Sequence, residues 1–227
     1  MAKCDAMSHA TKKSLCSVAL FAAAVASPAW AQAGEFQNWT GVLGQVDIGE
    51  SPWVFAYDAH GRRFSGATGV LVRPGIGYKF AKGWTGYLGY AWTPVFSDDS
   101  PAQHEHRVWQ QVIGSGSFGS AGRWAVRPRF EQRASTQDEG IAYRIRLFLR
   151  GSYAVRPNLW LVAWDELFVG LNDVAWGPQT GYDQNRLFLG VAFPQTIGPR
   201  FEIGYLLVNL ERDNNDTNHA LAVNAFF

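Results

Sequence analysis

Cysteine is nearly absent from this 227-residue chain: Cys4 and Cys16 are its two copies, and both lie close to the start. Beyond them nothing remains to form a disulfide, a thiolate nucleophile or a cysteine metal site. Lysine is scarce too, with only Lys79 and Lys82 after residue 31, against 15 arginines. No charge sign dominates. The whole chain has 20 Lys plus Arg and 19 Asp plus Glu, and without residues 1–31 these become 17 and 18, a net charge of −1. Such a balance gives no support to nucleic-acid binding. Long apolar runs are also missing. The longest, Leu15 to Ala26, is well short of the roughly 20 residues a membrane helix needs.

That apolar run belongs to a three-part export pattern. Lys3, Lys12 and Lys13 supply a positive start, and Ala29-Trp30-Ala31 places small residues where a signal peptidase cuts. Residues 1–31 are therefore expected to be a signal peptide cleaved after Ala31, with Ala33 as the fallback. Residues 32–227 are expected to form one domain, since no linker divides them.

What is present after the leader is alternation. In Ile141 to Arg150 the odd positions Ile141, Tyr143, Ile145, Leu147 and Leu149 are apolar, while the even ones include Arg144, Arg146 and Arg150. The preceding segment sets Trp124, Val126 and Phe130 against Arg123, Arg127, Arg129, Glu131 and Arg133. A period of two over such lengths marks β-strands with one apolar and one charged face. Eleven segments read this way: Phe36 to Gly49, Trp53 to Arg62, Gly66 to Phe80, Trp84 to Val95, Glu105 to Phe118, Arg123 to Ala134, Ile141 to Tyr153, Leu159 to Leu171, Tyr182 to Phe193, Arg200 to Leu210 and Ala220 to Phe227.

Alternation alone leaves two architectures open. A soluble sandwich or lipocalin-like barrel turns the apolar face inward; an outer-membrane barrel turns it to lipid and the charges to the lumen. Four features favour the second. Short links such as Ala81-Lys82-Gly83, Arg156-Pro157-Asn158 and Thr196 to Pro199 take turns with longer polar ones around Ser97 to His104, Thr136 to Gly140, Asp173 to Gly181 and Arg212 to His219. Aromatic residues make up 15% of the chain, and Trp53, Trp84, Trp92, Trp124, Trp160 and Tyr182 sit near segment ends, where interfacial girdles form. The segments exceed the ~5 to 6 residues of soluble strands and suit the ~9 to 11 of a tilted crossing. Finally, Leu221, Val223, Ala225 and Phe227 alternate at the end of the chain. This resembles the last strand of bacterial outer-membrane proteins, whose terminal aromatic residue is an assembly signal.

Pro74 and Pro128 fall inside expected strands and each removes a ladder donor, so bulges or breaks are expected there. Because bacterial single-chain barrels use even strand numbers, the eleven segments suggest an antiparallel up-and-down transmembrane β-barrel of 12 strands, with 10 as the alternative.

The runs Glu105 to Gln110, Arg129-Phe130-Glu131-Gln132-Arg133, Tyr143-Arg144-Ile145-Arg146, Asp165-Glu166, Asp183 to Phe188 and Glu202-Ile203-Gly204-Tyr205 resemble a bacterial outer-membrane β-barrel family catalogued as domain of unknown function 2490. The resemblance covers nearly all of residues 32–227 and implies an outer-membrane barrel without an established activity. Location in the bacterial outer membrane, contact with its lipid and recognition of the C-terminal strand at Phe227 by the barrel-assembly machinery are the implied partners.

The candidate site is the charged set on the polar faces: Arg73, Glu105, Arg107, Arg129, Glu131, Arg133, Arg144, Arg146, Arg150, Glu166, Arg186 and Glu202. Facing a narrow lumen, these charges pair across neighbouring strands. The plain reading is a structural plug, and the sharper one is a path or pocket for a small anion. His104-Glu105-His106 puts two histidines on one strand face but offers no third ligand, so no metal or other cofactor is expected. Gly114 to Gly119 matches a dinucleotide fingerprint in spelling, but a strand follows it rather than a helix, so it is read as a glycine-rich turn. Asn38-Trp39-Thr40 and Asn215-Asp216-Thr217 match glycosylation acceptors by chance. The rival classes are an outer-membrane hydrolase acting on lipid, for which no serine stands in a nucleophile motif, and a soluble periplasmic β-sandwich binding protein. The expectation is no enzyme.

Overall fold

The computed structural model describes residues 36–227 except 65, 99, 178, 196, 197 and 212–216, so the expected signal peptide lies outside the described residues. The twelve strands are β1 (Phe36–Asp47), β2 (Trp53–Phe64), β3 (Ala67–Val72), β4 (Gly75–Ala81), β5 (Trp84–Ser97), β6 (Gln103–Phe118), β7 (Gly122–Ser135), β8 (Ile141–Arg156), β9 (Leu159–Gly170), β10 (Gly181–Phe193), β11 (Arg200–Leu210) and β12 (Thr217–Phe226). They form one closed sheet in which sequential neighbours pair antiparallel and β1 pairs with both β2 and β12.

Twelve strands build eleven staves, because β3 and β4 are halves of one. Ala59 pairs with Val72 in β3, and Ala56 pairs with Gly75 in β4, a single unbroken register along β2. The same holds along β5, where Val72 pairs with Trp92 and Gly75 with Gly89. Only Arg73 and Pro74 interrupt the stave, and even there Arg73 N donates to Asp58 O at 2.8 Å and Tyr90 N to Pro74 O at 3.1 Å. Pro128 leaves the other expected mark. The β6–β7 register runs from Gln111↔Arg129 directly to Gly114↔Val126, skipping the proline that has no N–H to give.

In an up-and-down barrel with an odd number of staves the first and last run in the same direction. Closure is accordingly parallel, from Phe36↔His219 to Leu43↔Phe226. Eleven staves are the eleven segments that alternation marks out. The even-number rule, which suggested a wholly antiparallel arrangement, does not govern this closure.

The chain end at Phe227 shares one rim with the links β1–β2, β4–β5, β6–β7, β8–β9 and β10–β11, here called the turn rim. The opposite loop rim carries the links β5–β6, β7–β8, β9–β10 and β11–β12, of which residues 171–180 are the longest. Three links depart from the expected alternation: residues 65–66 make a two-residue link at the loop rim, and residues 48–52 and 194–199 make longer ones at the turn rim. The segment Gly114 to Phe118 lies in β6, with only Gly119 in the turn, at a φ of 58°.

Orientation follows the alternation. Along β8 the exposed large apolar residues are Ile141, Tyr143, Ile145, Leu147, Leu149, Tyr153 and Val155, with Leu149 49% exposed, while Arg146 keeps 4%. The outer wall is thus mainly apolar, with Trp53, Trp84, Trp92, Trp124 and Tyr182 also exposed; its polar members within the strands include two bonded pairs, Asp165 with Asn185 and Gln110 with Gln132. Trp160 instead faces inward, packed against a buried cluster. The soluble arrangement is excluded, because it would bury those leucines and expose those arginines. No helix among the described residues is long and apolar enough to cross a membrane, which says nothing of strands.

Candidate functional site

The inside of the barrel is filled, not hollow at mid-height. Two apolar clusters line its walls: Val162, Phe188, Ala192, Leu206, Val208, Ala220 and Ala222 from β9 to β12, and Val54, Tyr87, Ala91 and Trp109 from β2, β5 and β6. Glycines make room for the large rings. A methyl on Gly75 would stand 2.5 Å from Trp109 Cη2, so the indole fits only because that side chain is missing. Across the remaining space reach the arginines of β7 and β8.

They meet at a waist centred on Glu131, which is 1% exposed. Arg144 donates to Glu131 Oε2 from Nη2 at 2.6 Å and from Nε at 3.1 Å. Arg146 Nη1 donates to Oε1 at 2.6 Å, and Arg129 Nη1 at 3.4 Å. The chain of pairs extends both ways. Arg146 Nη2 and Arg127 Nη2 each donate to Glu166 Oε1 at 2.7 Å, while Arg144 Nη1 donates to Asp183 Oδ2 at 3.0 Å. Arg129 completes itself on Gln111 Oε1 from Nε at 2.8 Å and Nη2 at 2.5 Å. Glu131 within the arginine-rich β7 and Glu166 on β9 flank the arginines of β8, so a single guanidinium such as that of Arg146 reaches carboxylates on two staves. Because the waist side chains are buried to 96% or more in Glu131, Arg129, Arg144, Arg146 and Glu166, water does not run freely past them.

Aromatic rings carry part of the cationic load. Arg144 and Arg146 lie 5.0 and 4.4 Å from the Phe168 ring centre, Arg186 lies 4.5 Å from it on the same wall, and Arg129 sits 5.0 Å from Trp109. Arg186 also stands 4.8 Å from Trp39, so it is held between two rings. Such contacts add to the carboxylate bonds of Arg129, Arg144 and Arg146 and steady Arg186, which stands across the ladder from Glu166.

Above the waist, toward the loop rim, Glu105 is gripped by two forks. Arg107 donates from Nε and Nη2 at 2.8 and 2.9 Å, and Arg133 from Nε and Nη2 at 2.5 and 3.2 Å. The β9–β10 link folds over this end. Trp176 stacks at 5.5 Å on Arg133 and donates from Nε1 to Gly140 O at 3.3 Å. Asn172 Oδ1 accepts from Tyr143 N at 2.7 Å, and Asp173 Oδ1 accepts from Thr180 N at 2.6 Å and its hydroxyl at 2.8 Å. Those two bonds hold the Asp173 carboxyl below its ordinary value. Toward the turn rim, Glu202 accepts from Arg150 Nη2 at 2.7 Å. On the wall formed by β2 and the β3–β4 break, Arg73 pairs with Asp58, which also pairs with His60.

The twelve residues expected from the sequence therefore all point inward. They do not form one cluster: Glu105, Arg107 and Arg133 stand at one end, Arg150 and Glu202 at the other, and Arg73 pairs on its own wall. Asp58, Gln111, Arg127 and Asp183 were not among them, although each is a direct partner. Arg127 carried a signal, the same face as Arg129. Asp183 did not, because a register shift between Tyr182 and Gln184 turns it inward against the strand's parity. His104 and His106 face outward, His104 stacked on Trp92 at 5.9 Å and His106 bonded to Tyr90. Phe227 is outward and half exposed, its N–H donating to Leu43 O at 2.8 Å.

Against known proteins, the family described as a protein of unknown function, DUF2490, matches residues 36–219. An uncharacterised protein of Methylorubrum extorquens is 31% identical over 225 residues, covering 94% of each chain. A solved structure titled NanC porin superposes with a TM-score of 0.50 at 14% identity, covering 81% of this chain and 93% of that one, a likeness of fold.

Proposed function

The chain belongs to the DUF2490 family, and from that premise we propose that it is a non-enzymatic outer-membrane barrel whose lumen is a narrow path for small anions, closed at rest by the waist. The observation that carries this reading is the charge count inside. To the eight expected arginines the structure adds the inward-facing Arg62, Arg123, Arg127 and Arg200, and to the four glutamates it adds Asp58 and Asp183. Twelve cations against six carboxylates give the described lumen a surplus of positive charge, which in a low-dielectric enclosure attracts anions and repels cations.

The apolar outer wall supports a position in lipid. A soluble protein rarely exposes a belt containing Leu88, Ile145, Leu147, Leu149, Leu161, Leu187 and Leu189, and the one carboxylate set between Leu149 and Leu187 in it, Asp165, accepts a hydrogen bond from Asn185 Nδ2 at 2.9 Å. Outer-membrane lipid is then the partner of that wall, and the exposure of Phe227 at the turn rim supports a role as the signal for the barrel-assembly machinery.

Purified protein in planar bilayers tests the path. Small conductance steps with an anion-selective reversal potential are expected, and Arg144→Glu with Arg146→Glu should shift selectivity toward cations. Cation selectivity in the wild type would refute it. A second reading is favoured by the burial of Glu131: a waist so fully bonded acts as a structural plug, and a barrel that inserts but stays silent would leave this reading alone.

A further inference from the structure

The two ends of the lumen differ in how completely their arginines are neutralised. Toward the loop rim, one carboxylate takes four hydrogen bonds from Arg107 and Arg133. Toward the turn rim, Arg150 and Arg200 stand beside one buried carboxylate, Glu202, and a third inward arginine, Arg123, is near Arg200 and open to solvent. Among the described arginines, Arg150 alone comes within salt-bridge distance of Glu202. Arg150 and Arg123 repel Arg200, while Glu202 attracts it from beyond salt-bridge distance. The Nε atoms of Arg150 and Arg200 are shut off from solvent and have no hydrogen-bond acceptor; at the loop rim Arg133 Nη1 is in the same state, but the other two donors of that fork both grip Glu105.

The rings beneath hold these cations in place without satisfying them. Arg200 lies 4.5 Å and Arg150 6.0 Å from the Phe226 ring centre, and Arg123 lies 5.1 Å from Trp160. Phe226 stands directly across the ladder from Arg200, so the last strand of the barrel supplies the floor. A ring face tolerates a guanidinium but accepts none of its in-plane donors. Two forks with idle donors, converging on one partly engaged carboxylate, are a receptor for a second acceptor group carrying negative charge and several oxygens.

We propose that Arg150 and Arg200, set over Phe226 beside Glu202, together with Arg123 over Trp160, form a binding subsite for a small oxyanion of the phosphate type at the turn-rim end of the lumen. This rests on the reading of the lumen as an anion path and names the place in it where an anion pauses. Guanidinium forks match the oxygens of a tetrahedral oxyanion two at a time, whereas a halide would use one donor from each. Glu202 limits affinity, since its own charge opposes the guest, which suits a station an anion must leave again.

Titration calorimetry of the barrel in detergent at low ionic strength, with inorganic phosphate as the probe and chloride as competitor, tests it. Saturable phosphate binding is expected. Arg200→Gln should weaken it roughly tenfold or more, the worth of one charged hydrogen-bonding group, while the outward Arg63→Gln leaves it unchanged. Glu202→Gln should tighten it. Heat-modifiable gel mobility checks that each variant is folded. A wild-type barrel without saturable binding, or a folded Arg200→Gln barrel that binds phosphate as well as wild type, overturns the subsite. If Arg200→Gln does not fold, an unchanged affinity in Glu202→Gln does the same. Reversal potentials measured separately keep the two claims apart: a barrel that is anion-selective but does not bind phosphate loses the subsite only. One that binds phosphate with these variant effects but conducts nothing retains the subsite and loses the path.

Discussion

Replacing Glu131 with glutamine removes the one charge on which the waist converges. The amide side chain would still fill the space, so the change isolates electrostatics from packing. Three arginines that are 3–4% exposed would lose this carboxylate, though none would be left bare: Arg129 keeps Gln111, Arg144 keeps Asp183 and Arg146 keeps Glu166. The three close bonds to Glu131, at 2.6, 2.6 and 3.1 Å, would each be worth about 1.5–3 kcal/mol as charged hydrogen bonds. Simple addition overstates the loss, because the amide oxygen still accepts one of them and the remaining partners close in. Breaking a buried ion pair by removing one member costs about 3–5 kcal/mol, and that range is the prediction. Urea unfolding of the barrel in lipid vesicles, followed by tryptophan fluorescence, measures it. Pairing the change with Arg146→Met should restore part of the stability, the two effects being coupled rather than additive. A Glu131→Gln barrel within about 0.5 kcal/mol of wild type, the scatter of ordinary surface substitutions, would refute the claim that this network holds the lumen together.

Leu147→Arg, placing a charge on the outer wall near mid-height of β8, should cost about 2–4 kcal/mol in vesicles and much less in the same assay at the rim residue Val155. Gly89→Val should cost about 1–3 kcal/mol by overpacking, since a side chain there meets Trp109 and stands 2.5 Å from Pro74 O; folding yield and unfolding midpoint report it. The β9–β10 link should loosen in acid. Because the folded Asp173 carboxyl is held below its ordinary value, its support is fully present above about pH 4 and is lost as pH falls through the lower folded value. The Thr180 amide resonance should follow that titration, and a midpoint at or above the ordinary value would contradict the two bonds to Asp173.

The alternation of β8 fixed the strand and the separation of its two faces in advance, because a period of two is a local property and Arg146 cannot share a face with Leu147; which face turns outward rested on link lengths, strand lengths, aromatic placement and the terminal strand. The eleven staves were legible for the same reason. Closure was not: whether the first and last staves run parallel depends on their number, and a break such as Arg73-Pro74 can be read either as one stave or as two. The lumen was legible residue by residue but not pair by pair. Partners such as Glu131 with Arg146, or Arg150 with Glu202, sit on staves whose relative register is set by the tilt and stagger of the whole barrel. Asp183 shows the limit plainly, since one irregularity in β10 reverses which way a carboxylate points.

The outward and inward faces of β8 can be distinguished directly. With no cysteine between residues 32 and 227, single cysteines at Ile145, Leu147, Leu149, Phe148 and Ser152 can be spin-labelled in lipid vesicles and probed with oxygen and a water-soluble nickel chelate. Labels at 145, 147 and 149 should collide strongly with oxygen and hardly with nickel, while those at 148 and 152 should be shielded from oxygen. Nickel access at the odd positions, or loss of the two-residue alternation, would contradict a barrel that turns its leucines to lipid and its arginines to the lumen.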